Sequence, residues 1–132
     1  MKPTGEIVLL FHFEESQIKK IKKALLPLGI RVKIVSEEDY RMPVGKLAGI
    51  RGEYEEASEE NTENTLKELT DEMMVMHKFS SARMDLLLQT LRRAGIPRID
   101  RKAVITSTNM HWNTYRLYEE IEREHRQMHL SQ

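Results

Sequence analysis

The stretch T-S-T-N-M-H-W-N, Thr106 to Asn113, gathers hydroxyls, amides, an imidazole and the chain's single tryptophan. Thr106, Thr108, Asn109, His111 and Asn113 place donors and acceptors around Trp112, a set suited to recognising a small polar molecule. The same residue types have a structural use, because Asn and Thr in front of a helix cap it and Trp fills cores. A second candidate, Y-R-M-P-V-G-K-L-A-G-I-R-G from Tyr40 to Gly52, carries glycines at 45, 49 and 52. Gly45-Lys46 suggests a phosphate loop. That motif needs a glycine where Tyr40 stands and Ser or Thr where Leu47 stands, so a tight turn and short helix are expected instead.

The candidate ligand-binding residues are therefore Thr106, Thr108, Asn109, His111 and Trp112, with Tyr40, Gly45 and Lys46 from the earlier segment. No catalytic residue is assigned: no G-x-S-x-G elbow, Ser-His-Asp order or paired-carboxylate pattern stands out. His125 and His129 have the i, i+4 spacing of two ligands on one helix face, but the segment is H-R-Q-M-H and not H-E-x-x-H, so no metal or cofactor is expected. Lys19, Lys20, Lys22 and Lys23 lie opposite an apolar stripe. With zero net charge and no interleaved aromatics they read as a solvated face, and no nucleic-acid partner is expected.

The elements that must position these residues come in two copies. Ile7-Val8-Leu9-Leu10-Phe11 and Met73-Met74-Val75-Met76 are apolar without alternation, the pattern of strands covered on both faces. Phe13 and Ile18, and again Phe79 and Met84, have the spacing of a hydrophobic staple at a helix start. Ser80 fits the N-cap of the second helix, and Glu14 is a weaker cap for the first. Apolar residues at 18, 21, 25 and 28 recur at 84, 87, 91 and 94, a constant offset of 66. Gly29-Ile30 and Gly95-Ile96 end both helices as a left-handed residue followed by an apolar one, and Pro27 loosens the first end. Val32 to Val35 and Ala103 to Thr106 are then the second strand of each copy. His12 falls opposite Lys78 when the copies are aligned.

The prediction is an α/β fold: a single domain, 1–132, of two pseudo-symmetric βαβ halves, 5–52 and 72–129, sharing one four-stranded sheet. Neither half alone covers its own strands. The connector 53–71 is acidic: residues 52–72 hold 9 acidic and 1 basic residue, whereas each flanking region holds 10 basic and 6 acidic. It reads as solvated, with helix near Leu66 to Leu69. Thr114 to about Met128 reads as a C-terminal helix, with Tyr115, Tyr118, Ile121, His125 and Met128 along one side.

The absence of cysteine excludes thiol catalysis and disulfides. The longest apolar run is far below the roughly 20 residues of a membrane helix, and M-K-P-T-G-E is no signal peptide, so a cytoplasmic protein with no membrane partner is expected.

The segments L-G-I, P-V-G-K-L-A-G and A-V-I-T-S-T-N-M-H-W-N-T-Y-R-L-Y-E-E-I carry a resemblance. Through them the chain resembles a small bacterial family catalogued as a domain of unknown function (DUF3783) and linked with amino-acid metabolism. The likeness spans both halves, is firmest from Met73 to His125, and is most specific at T-N-x-x-W. It brings no activity or catalytic residue with it, and it singles out Thr108, Asn109 and Trp112 as a family-defining site or cap.

The expected function is a small-molecule-binding or regulatory module for an amino acid or related metabolite, with pockets around Tyr40 to Lys46 and Thr106 to Trp112. The alternative is a protein-interaction module that homodimerises through Tyr115, Tyr118 and Ile121. The third reading is an enzyme using His111 and neighbouring hydroxyls, which the sequence supports least.

Overall fold

The computed structural model describes residues 5–54 and 69–130, with side chains of the last helix as far as Gln127. The helix expected near Leu66, and the side chains of Met128 and His129, lie outside the described residues.

Strand β1 (Ile7–Phe11) leads into helix α1 (Glu15–Leu25) and strand β2 (Arg31–Val35), followed by a short helix α2 (Val44–Leu47). Strand β3 (Met73–His77), helix α3 (Ser81–Arg93) and strand β4 (Arg101–Val104) repeat that order before the C-terminal helix α4 (Thr114–Leu130). The four strands form one sheet in the order β2-β1-β3-β4. The outer pairs are parallel and the central pair, β1 with β3, is antiparallel, with Leu9 opposite Val75. The fold is α/β with a mixed sheet.

The unbroken apolar runs of β1 and β3 follow from cover on both faces. Successive strand side chains point to opposite faces, and here each set meets a helical layer. Val8, Leu10, Met74 and Met76 pack with Ile21 and Leu25 of α1 and Leu87 and Leu91 of α3. Ile7, Leu9, Phe11, Met73 and Val75 pack with Val44 and Leu47 of α2 and Leu117 and Tyr118 of α4. Full burial of such a side chain stabilises by roughly 1.5–3 kcal/mol, so these central strands hold most of the core.

The helix punctuation follows the sequence. Ser80 caps α3, its hydroxyl accepting the Arg83 N–H at 3.2 Å. At the other end Gly95, φ 84°, lets its own N–H reach Arg92 and the Ile96 N–H reach the Leu91 carbonyl at 3.0 Å. In α1 the Gln17 side chain accepts the Glu14 N–H at 3.4 Å. Pro27 turns the end of that helix into a 3-10 turn, Leu26–Leu28, closed by Gly29 at φ 73°.

Two expectations are corrected. Strand β4 runs Arg101–Val104, not Ala103 to Thr106, because Arg101 and Lys102 pair with Met73 and Met74 while Thr106 is drawn into the following turn. On α4 Leu117, absent from the predicted stripe, is buried at 2% exposed, whereas His125 is exposed. Tyr118 is buried, and Tyr115 and Ile121 pack against the same cluster, so these side chains cover the chain's own sheet.

Two ion-pair clusters, invisible in the sequence, tie the layers together. Buried Glu6 receives Arg83 in a fork, Nη2 to Oε1 at 2.6 Å and Nε to Oε2 at 2.9 Å, and the same Nη2 donates to the Leu28 carbonyl at 2.8 Å. A carboxylate at that depth needs such compensation. Arg101 joins Glu122 of α4, reaches Asp71 at 3.4 Å and lies over the Tyr118 ring, fastening α4 to β4.

Candidate functional site

The T-S-T-N-M-H-W-N segment folds into a turn that spends its polar groups internally. Asn109 Oδ1 accepts the Thr106 N–H at 2.8 Å, and Asn109 Nδ2 donates to the Val104 carbonyl at 2.9 Å. The Asn109 N–H in turn donates to Thr106 Oγ1 at 3.1 Å. Asn109–His111 forms a 3-10 turn, and Asn113 caps α4, its Oδ1 accepting the Arg116 N–H at 2.9 Å. Side chains of this type bond local backbone readily, which is why they collect in front of helices. Thr106, Thr108 and His111 remain exposed, with His111 beside the Tyr54 ring at 5.5 Å. Trp112 is half-buried, with the Arg116 guanidinium 4.7 Å above its ring.

The earlier segment, Tyr40 to Lys46, packs directly against this turn. The Val44 N–H donates to the Trp112 carbonyl at 2.8 Å and the Thr114 N–H to the Tyr40 carbonyl at 3.0 Å, with a bridge between Pro43 and Asn113. Gly45 is a contact glycine: a Cβ there would stand 2.8 Å from the Met110 carbonyl oxygen. Lys46 points outward and is exposed, while Tyr40 is buried. The two predicted segments thus meet, and Tyr40 reaches a cleft.

That cleft, about 200 Å³, is lined by His12, Glu37, Tyr40, Leu69 and Tyr115. It lies just past Phe11 and Val35, the C-terminal ends of the parallel strands β1 and β2, the edge at which α/β sheets usually hold ligands. Tyr40 is fixed between Phe11 and Tyr115, each ring 5.8 Å away. Burial raises the Tyr40 pKa above 10, a backbone hydrogen bond at His12 opposes that, and Glu37 and Tyr115 add to it, so the phenol is a proton-bearing donor at neutral pH. His12 holds φ 64°, in the left-handed region that a non-glycine residue seldom occupies.

The lining offers a carboxylate, an imidazole, two phenols and one apolar side chain. These groups can hydrogen-bond a small polar molecule from several sides. Among the described residues no group of three or more His, Asp or Glu is arranged to hold a metal ion. Among them, too, no helix is long and apolar enough to cross a membrane. Sequence reasoning missed His12, Glu37, Leu69 and Tyr115 as site residues. The available signal was position: His12 directly follows a fully buried strand, and Glu37 follows the strand parallel to it.

Fold and cleft together define a mixed α/β domain with a small polar recess at its strand ends. Residues 72–128 match the model of a family described as Domain of unknown function (DUF3783), a span that takes in β3, α3, β4 and most of α4. No curated protein and no solved structure matches the chain.

Proposed function

We propose that the protein is a small-molecule-binding or regulatory module of bacterial cytoplasm whose ligand is an amino acid or a closely related polar metabolite. The observation that carries this reading is the convergence of His12, Glu37, Tyr40 and Tyr115 on one recess at the C-terminal ends of β1 and β2. In this reading Glu37 takes the ligand's ammonium group, while the Tyr40 and Tyr115 hydroxyls and the His12 imidazole take its carboxylate. Such a division suits a zwitterion and leaves Leu69 for a small apolar side chain.

We further read the two βαβ segments as copies of one ancestral unit. The offset that maps α1 onto α3 maps Leu9 onto Val75, which face each other across the central pair, and maps His12 onto Lys78. Both of the latter have positive φ, 64° and 67°. With a lysine in place of the imidazole, the second copy lacks the first copy's chemistry, and the ligand site belongs to the first.

The test is a panel of amino acids and related acids in a thermal-shift assay on the full chain. A ligand at 100 times its dissociation constant stabilises by about 2.7 kcal/mol, an easily read shift. Glu37→Gln and Tyr40→Phe should abolish the shift given by an active compound. If no compound moves the unfolding temperature, or if both variants respond as the parent does, the cleft is not the site.

A further inference from the structure

On the opposite layer, between the second half of α3 and the chain entering β4, runs a groove of about 440 Å³. Its apolar floor is Leu88, Leu91, Ile96 and Ile99, and its rim carries Arg92, Arg98 and Lys102. We propose that this groove binds a medium-chain alkyl carboxylate, its acyl chain on the leucine and isoleucine floor and its carboxylate between Arg98 and Lys102.

The argument is charge complementarity beside a recess of ligand size whose exposed lining is about half polar and half apolar. Volumes from roughly 300 to 1,000 Å³ are usual for small-molecule sites. The rim carries three cations, Arg92, Arg98 and Lys102. Asp100 stands 3.3 Å from Arg98, and that pair is exposed, 86% and 53%, where such contacts are weak. Arg92 sits in the last turn of α3 and offsets the carbonyl end of the helix. Arg98, in that exposed pair, and Lys102 are the cations placed to meet an anion.

Lys102 is half-buried, and its Nζ donates to the Ile99 carbonyl at 2.6 Å. Burial and the Arg98 guanidinium hold its pKa below the ordinary value, against a smaller opposing effect of Asp100. A bound carboxylate reverses that imbalance. A bare inorganic anion would leave the apolar floor uncovered, and a neutral alcohol would leave the rim uncompensated, so the two features together select an amphiphilic monoanion.

The experiment titrates the full-length chain with hexanoate, octanoate, decanoate and decanol below their micelle-forming concentrations, following the Ile96 and Ile99 methyl resonances. Supporting results are saturable shifts and an affinity rising with chain length. Each buried methylene is worth roughly fourfold, so each two-carbon step tightens binding by up to about fifteenfold. Arg98→Gln and Lys102→Gln should each weaken decanoate about tenfold; Arg98 is so exposed that its replacement leaves folding intact. Absence of saturable shifts, decanol binding as tightly as decanoate, or undiminished binding in both variants would overturn the proposal. So would binding to anionic phospholipid vesicles without binding of free decanoate. The groove and the His12 cleft lie on opposite layers of the sheet, so this test and the amino-acid screen succeed or fail separately.

Discussion

Replacing Gly45 by alanine tests the contact that brings the two predicted segments together. The new Cβ would stand 2.7 Å from Tyr54 Oη, 2.8 Å from Met110 Cβ and 2.8 Å from the Met110 carbonyl oxygen. Propensity alone favours alanine over glycine in a helix by about 1 kcal/mol. Against that, overpacking of this kind costs typically 1–3 kcal/mol. Moving Tyr54 aside also breaks its 2.8 Å bond to the Ile50 carbonyl, a further ~1 kcal/mol. The net expectation is a loss of about 1–3 kcal/mol. At about 2.1 cal/mol/K of unfolding entropy per residue, a chain of 132 residues loses about 4–11 °C in Tm. Thermal unfolding followed by circular dichroism reads this directly, and the Trp112 indole resonance reports the local displacement, since the Trp112 carbonyl is held by Val44. Adding Tyr54→Phe to Gly45→Ala should recover little, because the Met110 carbonyl is backbone and cannot step aside. Gly95→Ala is the contrasting control. It meets nothing within 4 Å but sits at φ 84°, so its cost of about 1–2 kcal/mol should fall when asparagine replaces the alanine. A Gly45→Ala protein as stable as the parent would refute the packing of α2 on the Asn109 turn.

Three further outcomes are expected. Asn109→Ala should cost about 1–2 kcal/mol by deleting the side-chain bonds to Thr106 and Val104, with Asn109→Asp in between, since it keeps only the acceptor; neither should alter amino-acid binding, and a selective loss of binding would return this residue to the site. Thr114 is fully buried and its hydroxyl has no hydrogen-bond partner among the described residues, so Thr114→Val should be neutral or stabilising by about 1 kcal/mol in denaturant titration, and a clear loss would expose a hidden partner. Burial, then Lys78, hold the His77 pKa below its ordinary 6.5. The unfolded chain therefore takes up a proton that the folded one resists, and this contribution is complete above about pH 6.5 and lost as pH falls through the folded pKa. His77→Gln should flatten that part of the stability profile, and an unchanged slope would show that His77 is not its source.

How much was legible in the sequence depends on how local the physics is. The strand cores of β1 and β3, the stripes of α1 and α3, the Ser80 cap and the Gly29 and Gly95 endings rest on near neighbours and could be read directly. The edge of β4 could not, because pairing with Met73 recruits Arg101, while Thr106 leaves to close a turn with Asn109. Turn closure by Asn109 was legible as one option, and its bonds to Thr106 and Val104 make that closure. The cleft draws on five separate places in the chain, His12, Glu37, Tyr40, Leu69 and Tyr115, and only Tyr40 had been singled out for binding.

By itself, the sequence determined which segments are apolar on all sides, which carry a single stripe, and where helices begin and stop, since backbone sterics and side-chain periodicity act over a few residues. Tertiary structure decided the antiparallel joining of β1 to β3, the Glu6 to Arg83 fork across 77 residues, and the meeting of the Tyr40 and Asn109 segments. Those contacts exist only after distant parts of the chain have buried their apolar faces together, and no short window of residues contains both partners.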